Sequence, residues 1–425
     1  MSQLNAALDA LAREQAAPAD GWLADLRRAG RARFESEGLP TPKMEAWRGT
    51  NVTRLDTIPF VAARPAKAPA HPLANLGLGG LRFVFSGGRL IDSAGQPSDG
   101  LWAGTFADAL SHFGETMRAW VGDEDESGAF EALNQAFLGN GAVVVVEEGA
   151  SIEAPVEIVY ALGAQACEAI QQPRTLIVAA ANSRVQVVET FIGQGATPTL
   201  TNAVSHVLVG ENASVEHARL QLEGSKAWHV STVTSRQERA SRYTAHHINL
   251  GAGVARHNTR AVLDGEGASC LLNGLYLVSG DQHVDNNTIL DHAKPHCDSR
   301  EVFKGILADK ARSIFTGRII VRAGAQKTDA KQSNPNLLLS PTALAQTRPQ
   351  LEIYADDVKC THGATVGRMD DDAVFYLRSR GLSEAVARNM LIQAVAGEVL
   401  SAIHLPQLRE ALESEVSERL ESVGS

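Results

Sequence analysis

The sequence predicts a mainly β protein whose core, residues 141–370, is a β-helix or β-solenoid. Three observations carry that prediction. From Gly141 onward, alternating β-branched segments recur with almost no helical pattern until about residue 373. Their turns look alike: Gly149-Ala150-Ser151, Asn182-Ser183, Asn212-Ala213-Ser214, Arg239-Ala240-Ser241 and Gly267-Ala268-Ser269 place serines at steps of 32, 31, 27 and 28 residues. A loose period of that size over β-rich repeats is the sign of stacked coils, each bonded to the one above and below. Composition agrees, since aromatics are only 5% while glycine reaches 37 copies, a mix suited to closely stacked strands. A β-sandwich would show more two-residue Asn-Gly or Asp-Gly hairpins, and such turns are sparse.

The flanking elements follow in order. Residues 1–58 form an N-terminal helical region: Leu4, Leu8 and Leu11, then Trp22, Leu23, Leu26 and Phe34, recur at helical spacing and predict two short amphipathic helices, the second stopped by Gly38, Pro40 and Pro42. In residues 59–80, Pro59, Pro65, Pro69 and Pro72 among alanines resist helix and central strand and read as an extended linker. Residues 81–140 are mixed, with a strand at Leu81–Ser86 and helical periodicity over Phe106–Val121 and Ser127–Leu138 around an acidic turn at Asp123–Glu126. Residues 371–425 predict a helical hairpin. Ser383 caps its first helix, whose face carries Val386, Met390, Leu391, Ala394, Val395 and Val399. Pro406 is expected to end that helix, and Leu408, Leu412, Val416 and Leu420 line the next.

Composition excludes several functions. A net charge of −10, from 39 basic and 49 acidic residues, argues against a nucleic-acid binder, which needs a basic stripe. The N-terminus has no apolar core of a signal peptide and no apolar run is long enough to span a membrane, so a cytoplasmic chain is expected. Cys167, Cys270, Cys297 and Cys360 lie 103, 27 and 63 residues apart and make no CxxC pair; they read as reduced thiols. The sequence contains no GxxxxGK[ST] and no Gly-Lys dipeptide, which removes the phosphate cradle of a P-loop. Neither Gly193-Gln194-Gly195 nor Gly251-Ala252-Gly253 completes a dinucleotide fingerprint. Nucleotide is therefore not expected to bind this chain.

Two groups of residues can carry chemistry. Asp281, His283, Asp285, Asp291, His292, His296, Cys297 and Asp298 crowd together, but their spacing fits no metal finger and Pro295 breaks regular structure, so a polar rim loop is the stronger reading. The sharper signal is Lys359-Cys360-Thr361-His362-Gly363. On a strand, Cys360 and His362 project from one face with Cα atoms about 7 Å apart, a thiol beside an imidazole, suited to soft metals or sulfur. The bland alternative is a buried cysteine with a histidine hydrogen-bonded at a coil edge.

Several segments resemble the SufB/SufD iron–sulfur assembly family. Leu351–Gly367 with Phe375-Tyr376-Leu377-Arg378-Ser379-Arg380-Gly381 looks like its C-terminal signature; Phe303-Lys304-Gly305, Gly317-Arg318-Ile319, Gly324–Asp329 and Gln332–Ser340 are similar to its core. Gly38-Leu39-Pro40-Thr41-Pro42-Lys43-Met44-Glu45-Ala46-Trp47 resembles the SufD branch, while Arg48-Gly49 and Pro335 depart from the pattern. The resemblance implies a right-handed parallel β-helix acting in a complex with a homologous SufB-like chain and a SufC-like ATPase. It also implies a transient iron–sulfur cluster at the interface with that partner, with His362 facing a partner cysteine and Cys360 as a weaker carry-over. The ATPase is then expected on the C-terminal helices through Val386, Met390, Leu391 and Val395, and the unpaired solenoid end is expected to pair with the homologous chain.

Two other classes compete with this reading. One is a structural interaction subunit whose His362 and Cys360 never touch iron or sulfur. The other is a polysaccharide-cleaving β-helix enzyme using Asp281, Asp285 and Asp291 for acid–base work.

Overall fold

A computed structural model describes residues 4, 7–9, 21–121, 128–163, 168–195 and 197–423; Leu11, the acidic turn at 123–126 and Cys167 lie outside the described residues. The chain is 44% strand and 24% helix and forms a β-solenoid of about eight turns. Successive strands alternate between two sheets, and each bonds in parallel to the strand one coil earlier. The first sheet runs from Gly141–Val146 through Arg174–Ala179 and Thr199–Val209 to Leu344–Ile353, the second from Val156–Leu162 through Arg184–Gly193 to Lys359–Arg368.

The corner between the sheets explains the repeat. Asn182, Asn212, Ala240, Gly267, His296 and Lys327 take the same corner position in successive coils, with φ between 53° and 72°. Glycine and asparagine enter this left-handed region at least cost. At three of these corners the next residue carries a hydroxyl that locks the turn: Ser183 Oγ donates to the Ala180 carbonyl at 2.6 Å, Ser241 Oγ to that of Glu238 at 2.7 Å and Thr328 Oγ1 to that of Ala325 at 2.8 Å. The corner thus sets the repeat, and the period serines fall within two residues of its left-handed position: Ser183 and Ser241 directly after it, Ser151, Ser214 and Ser269 one residue further on.

Inside, side chains of one parity stack coil upon coil, as in Val185, Val215, Tyr243 and Cys270, with ring pairs such as Phe303 and Phe315 at 5.3 Å. The interior also buries charge. Glu189 accepts hydrogen bonds from Arg219 Nε at 2.6 Å, from His217 Nε2 at 3.2 Å and from the hydroxyls of Thr175 and Ser205.

Helices cover the outer faces. Helix Trp22–Glu37 packs on Ala129–Ala136, and Phe130 and Leu133 join a cluster with Ile170, Leu200 and Val230 of the first sheet. Segment 59–80 runs along the solenoid, with Val61–Ala62 paired to Ala169–Gln171 and Leu73 buried. At the other end of the chain, helices Glu384–Leu400 and Pro406–Val423 lie on the second sheet, where Ile392, Ala396, Val399, Leu408 and Leu412 meet Val188, Leu220, Ile248 and Leu275. Asn273 Nδ2 donates to the Val399 carbonyl at 2.8 Å, the His404 amide donates to Glu216, and Lys304 pairs with Glu398. Pro406 begins the last helix rather than ending the one before it; Glu384–Leu400 has already stopped six residues earlier, and a proline is well placed in a first turn because it has no N–H to leave unsatisfied.

Proline at 335 is accommodated inside the strand Asp329–Leu338. Pairing with Asp298–Leu307 skips from Ser333 to Asn336, as expected where an N–H is missing. The Asn334 side-chain amide donates to the Phe303 carbonyl at 2.8 Å across that gap.

Candidate functional site

The two ends of the solenoid differ. At the start, the first sheet is finished by the antiparallel strand Leu101–Thr105 and the second by the antiparallel hairpin Arg82–Ser86 with Arg89–Ala94. At the finish, Leu344–Ile353 and Lys359–Arg368 are the outermost strands of their sheets, each with one ladder of backbone groups facing no strand. The inward-facing row of this last coil comprises Thr347, Pro349 and Leu351 opposite Cys360, His362, Ala364 and Val366. One coil below, the equivalent Gln332, Asn334 and Asn336 are buried; here the row is partly uncovered, with His362 and Val366 exposed.

Cys360 and His362 share this face because they stand two residues apart on one strand. Register sets Cys360 over Ala330 and His362 over Gln332. Cys360 is half-buried and His362 exposed, while Lys359 is on the opposite face. Burial pushes the Cys360 thiol pKa up, and the charge of Asp329 adds to it, so the isolated chain holds this residue as a thiol. Among the described residues no three His, Cys, Asp or Glu side chains converge as a metal site; any iron held at this end needs ligands from elsewhere. Exposed apolar residues gather nearby, including Leu344, Ile353, Tyr354 and Val366.

The crowded 281–298 segment is resolved differently. Its first part is the regular strand His283–His292 rather than a loop, and only the turn around Pro295 is irregular. Asp285 is tied to Arg256 and Thr50 under the N-terminal segment, where Arg256 also stacks over Trp47 at 4.6 Å. Asp291 takes both arms of Arg322, at 2.8 and 2.7 Å. His292 Nε2 meets Ser299 Oγ at 2.9 Å, and Cys297 Sγ donates to the Gly265 carbonyl. These groups are spent on structure, and Asp281, Asp285 and Asp291 do not form an acid–base set.

A family profile described as the SUF system FeS cluster assembly, SufBD core domain, matches residues 160–395. That span takes in both solenoid sheets, the open end and most of the first C-terminal helix. The chain belongs to the SufB/SufD family. It is 32% identical to an iron–sulfur cluster assembly SufBD family protein of Synechocystis sp., over 94% of this chain and 91% of that protein. It is also 32% identical to the iron–sulfur cluster assembly protein SufD of Escherichia coli, over 90% of each, and 29% identical to the chloroplastic protein ABCI7 of Arabidopsis thaliana, over 75% of this chain and 68% of the relative. Membership in the SufB/SufD family gives the chain a role in iron–sulfur cluster assembly by the SUF system. No helix among the described residues is long and apolar enough to cross a membrane.

The C-terminal helix presents the predicted stripe in two parts. Val386 and Met390 are 47% and 46% exposed, whereas Leu391 and Val395 are half-buried, Ala387 is buried, and Ile392, Ala396 and Val399 pack on the second sheet. Phe375 and Tyr376, 71% and 57% exposed, extend the exposed apolar surface and were not singled out as contacts in the sequence, although they stand in the C-terminal signature. Beneath His362, at the same register position in the two preceding coils, stand Gln332 and Glu301.

Proposed function

We propose that this SufB/SufD family member acts as a SufD-like subunit without catalytic turnover of its own. Its open end pairs with a SufB-like chain, its C-terminal helices dock a SufC-like ATPase, and the nascent iron–sulfur cluster is the cargo handled at the paired end, in the cytoplasm. The observation that supports this reading is the asymmetry of the solenoid: one end finished by antiparallel strands, the other leaving two ten-residue edge strands and a row of inward-facing side chains partly uncovered. Unpaired strand edges are templates for another chain. A homologous coil has matching spacing and continues both ladders at once.

On this reading His362 stands at the seam, where a neutral imidazole offers a nitrogen lone pair to iron or takes a proton from an incoming persulfide. Cys360 supports it as a neighbouring thiol that needs a partner's charge to become a thiolate. Nucleotide hydrolysis falls to the docked ATPase, since this chain has no phosphate cradle; Val386 and Met390, free of the solenoid, lead that contact with Leu391 and Val395 at its margin. The test is iron and sulfide content of the complex isolated after co-expression of His362→Ala with its partners. The proposal expects normal complex yield and loss of most iron and sulfide. Normal iron and sulfide would reject the role of His362, and loss of the complex itself would favour a purely structural subunit.

A further inference from the structure

A cavity of about 710 Å³ lies at the start of the solenoid, the end away from Cys360 and His362. It is enclosed by helix Trp22–Glu37, helix Phe106–Phe113, segment 62–65, the turn Gly87-Gly88 between the strands Arg82–Ser86 and Arg89–Ala94, and the first sheet at 170–172. Arg27, Arg64 and Arg89 line it, and among the described residues no carboxylate does. On a chain of net charge −10, a recess walled by one sign of charge concentrates ions of the other. Leu23, Phe106, Leu110 and Phe137 make the apolar part of its wall.

The fold uses the donors around this cavity only in part. Arg27 Nε donates to the Leu138 carbonyl at 2.6 Å, while its Nη1 is buried with no partner. Burial pushes the Arg27 pKa down, as it does for a cation that lacks a compensating charge. Arg89 makes no hydrogen bond or ion pair among the described residues, and neither does the side chain of Asn140, which also lines the cavity. Gln172 is 6% exposed; its Oε1 accepts from Asn202 Nδ2 at 2.6 Å, and its Nε2 is left buried in the cavity wall without a partner. Buried donors left unpaired are costly. Glycine at 88, with φ 76°, keeps space beside Asn140, because a Cβ there would lie 2.9 Å from Nδ2.

We propose that this cavity binds a small phosphate monoester with an apolar body. A guanidinium offers paired N–H donors whose geometry matches phosphate oxygens. A monoester carries between one and two negative charges at neutral pH, which suits three guanidinium groups better than the single charge of a carboxylate. The phosphate is held by Arg27 and Arg89 with the Asn140 amide as a neutral donor, Arg64 adds a third positive charge, and the body lies against Leu23, Phe106 and Leu110. The cavity has the size of an ordinary small-molecule site, which spans about 300–1,000 Å³. Its bound ligand ties helix Trp22–Glu37 and the hairpin turn to the start of the first sheet. The site shares no residue with the open end or with the C-terminal helices, so it stands apart from the pairing and docking proposed above.

Calorimetric titration of the isolated full-length chain with phenyl phosphate at low ionic strength tests the assignment, with benzoate, phenol and inorganic phosphate titrated in parallel. Phenyl phosphate is expected to bind saturably at one site, at least about tenfold tighter than any of the other three. Arg89→Glu, at an exposed side chain that the fold does not use, is expected to weaken it at least about tenfold with unchanged circular dichroism. Arg27→Gln is expected to weaken it as well. Arg348→Glu makes the same change of charge in the edge strand Leu344–Ile353 and is expected to leave binding as it was. Absence of saturable binding at ~10 mM phenyl phosphate overturns the proposal. So does binding that survives Arg89→Glu, that falls equally in Arg348→Glu, or that is no tighter than binding of benzoate or inorganic phosphate.

Discussion

Replacing Arg219 by methionine isolates the charge that the solenoid interior buries around Glu189. In the intact chain the guanidinium holds that carboxyl far below the usual carboxylate range against the opposing effect of burial, helped by His217. A folded pKa below the unfolded one contributes stability that is present above about pH 4.3 and is lost as pH falls through the folded value. Methionine keeps most of the side-chain volume over Phe191, which Arg219 now covers at 5.0 Å, but leaves a buried carboxylate with one neutral imidazole and two hydroxyls. Removing one partner of a buried pair costs about 3–5 kcal/mol. The carboxyl pKa then rises on burial, so the variant's deficit is largest above neutral pH and shrinks by about 1.4 kcal/mol for each unit of that rise once the pH drops below it. Urea unfolding at pH 8 and pH 5 reads both quantities. Far-UV circular dichroism follows the coils, and fluorescence of the five tryptophans, all at or before residue 228, follows the half that contains Glu189. The expected deficit is about 3–5 kcal/mol at pH 8 and clearly smaller at pH 5, with Glu189→Gln/Arg219→Met recovering most of it. A deficit under about 1 kcal/mol, or one equal at both pH values, would refute the reasoning.

Three further outcomes are expected. Val386→Asp/Met390→Asp should reduce capture of the ATPase partner at least about tenfold, a change of about 1.4 kcal/mol, with unchanged circular dichroism because both side chains are free of the solenoid; normal capture would move the docking surface elsewhere. Cys360→Ser should lower iron and sulfide in the co-expressed complex less than His362→Ala does, and an equal loss would make the thiol a full participant. The isolated chain should not hydrolyse ATP, and hydrolysis abolished by a point change within it would show an unrecognised nucleotide site.

Much of the fold is written in short-range chemistry. The solenoid is announced by its corners, because a left-handed residue such as 182, 212 or 267, followed by a small residue or a hydroxyl, is a local requirement that recurs from coil to coil. Cys360 and His362 fall on one face by strand parity alone. The packing of the C-terminal helix is not local: Val386 and Met390 share helical spacing with Val395 and Val399, and only the position of the second sheet decides which of them it covers. The same holds for 281–298, where Asp285 and Asp291 look like free ligands until Arg256, Arg322 and Thr50 arrive from distant positions. Pro406 shows the ambiguity of proline, which serves a helix start as well as a stop. The stacking of Glu301, Gln332 and His362 is likewise non-local, since it depends on the strand register.

Pairing of the open end with a homologous chain is the claim on which the proposed role of His362 depends, and backbone hydrogen exchange tests it most directly. Amides of Leu344–Ile353 and Lys359–Arg368 that face away from the solenoid should exchange freely in the isolated chain and become protected when the SufB-like partner is added, with the start of the solenoid at 82–94 unchanged. Protection confined to the C-terminal helices, with unchanged exchange at 344–368, would contradict the pairing and with it the placement of His362 at the seam.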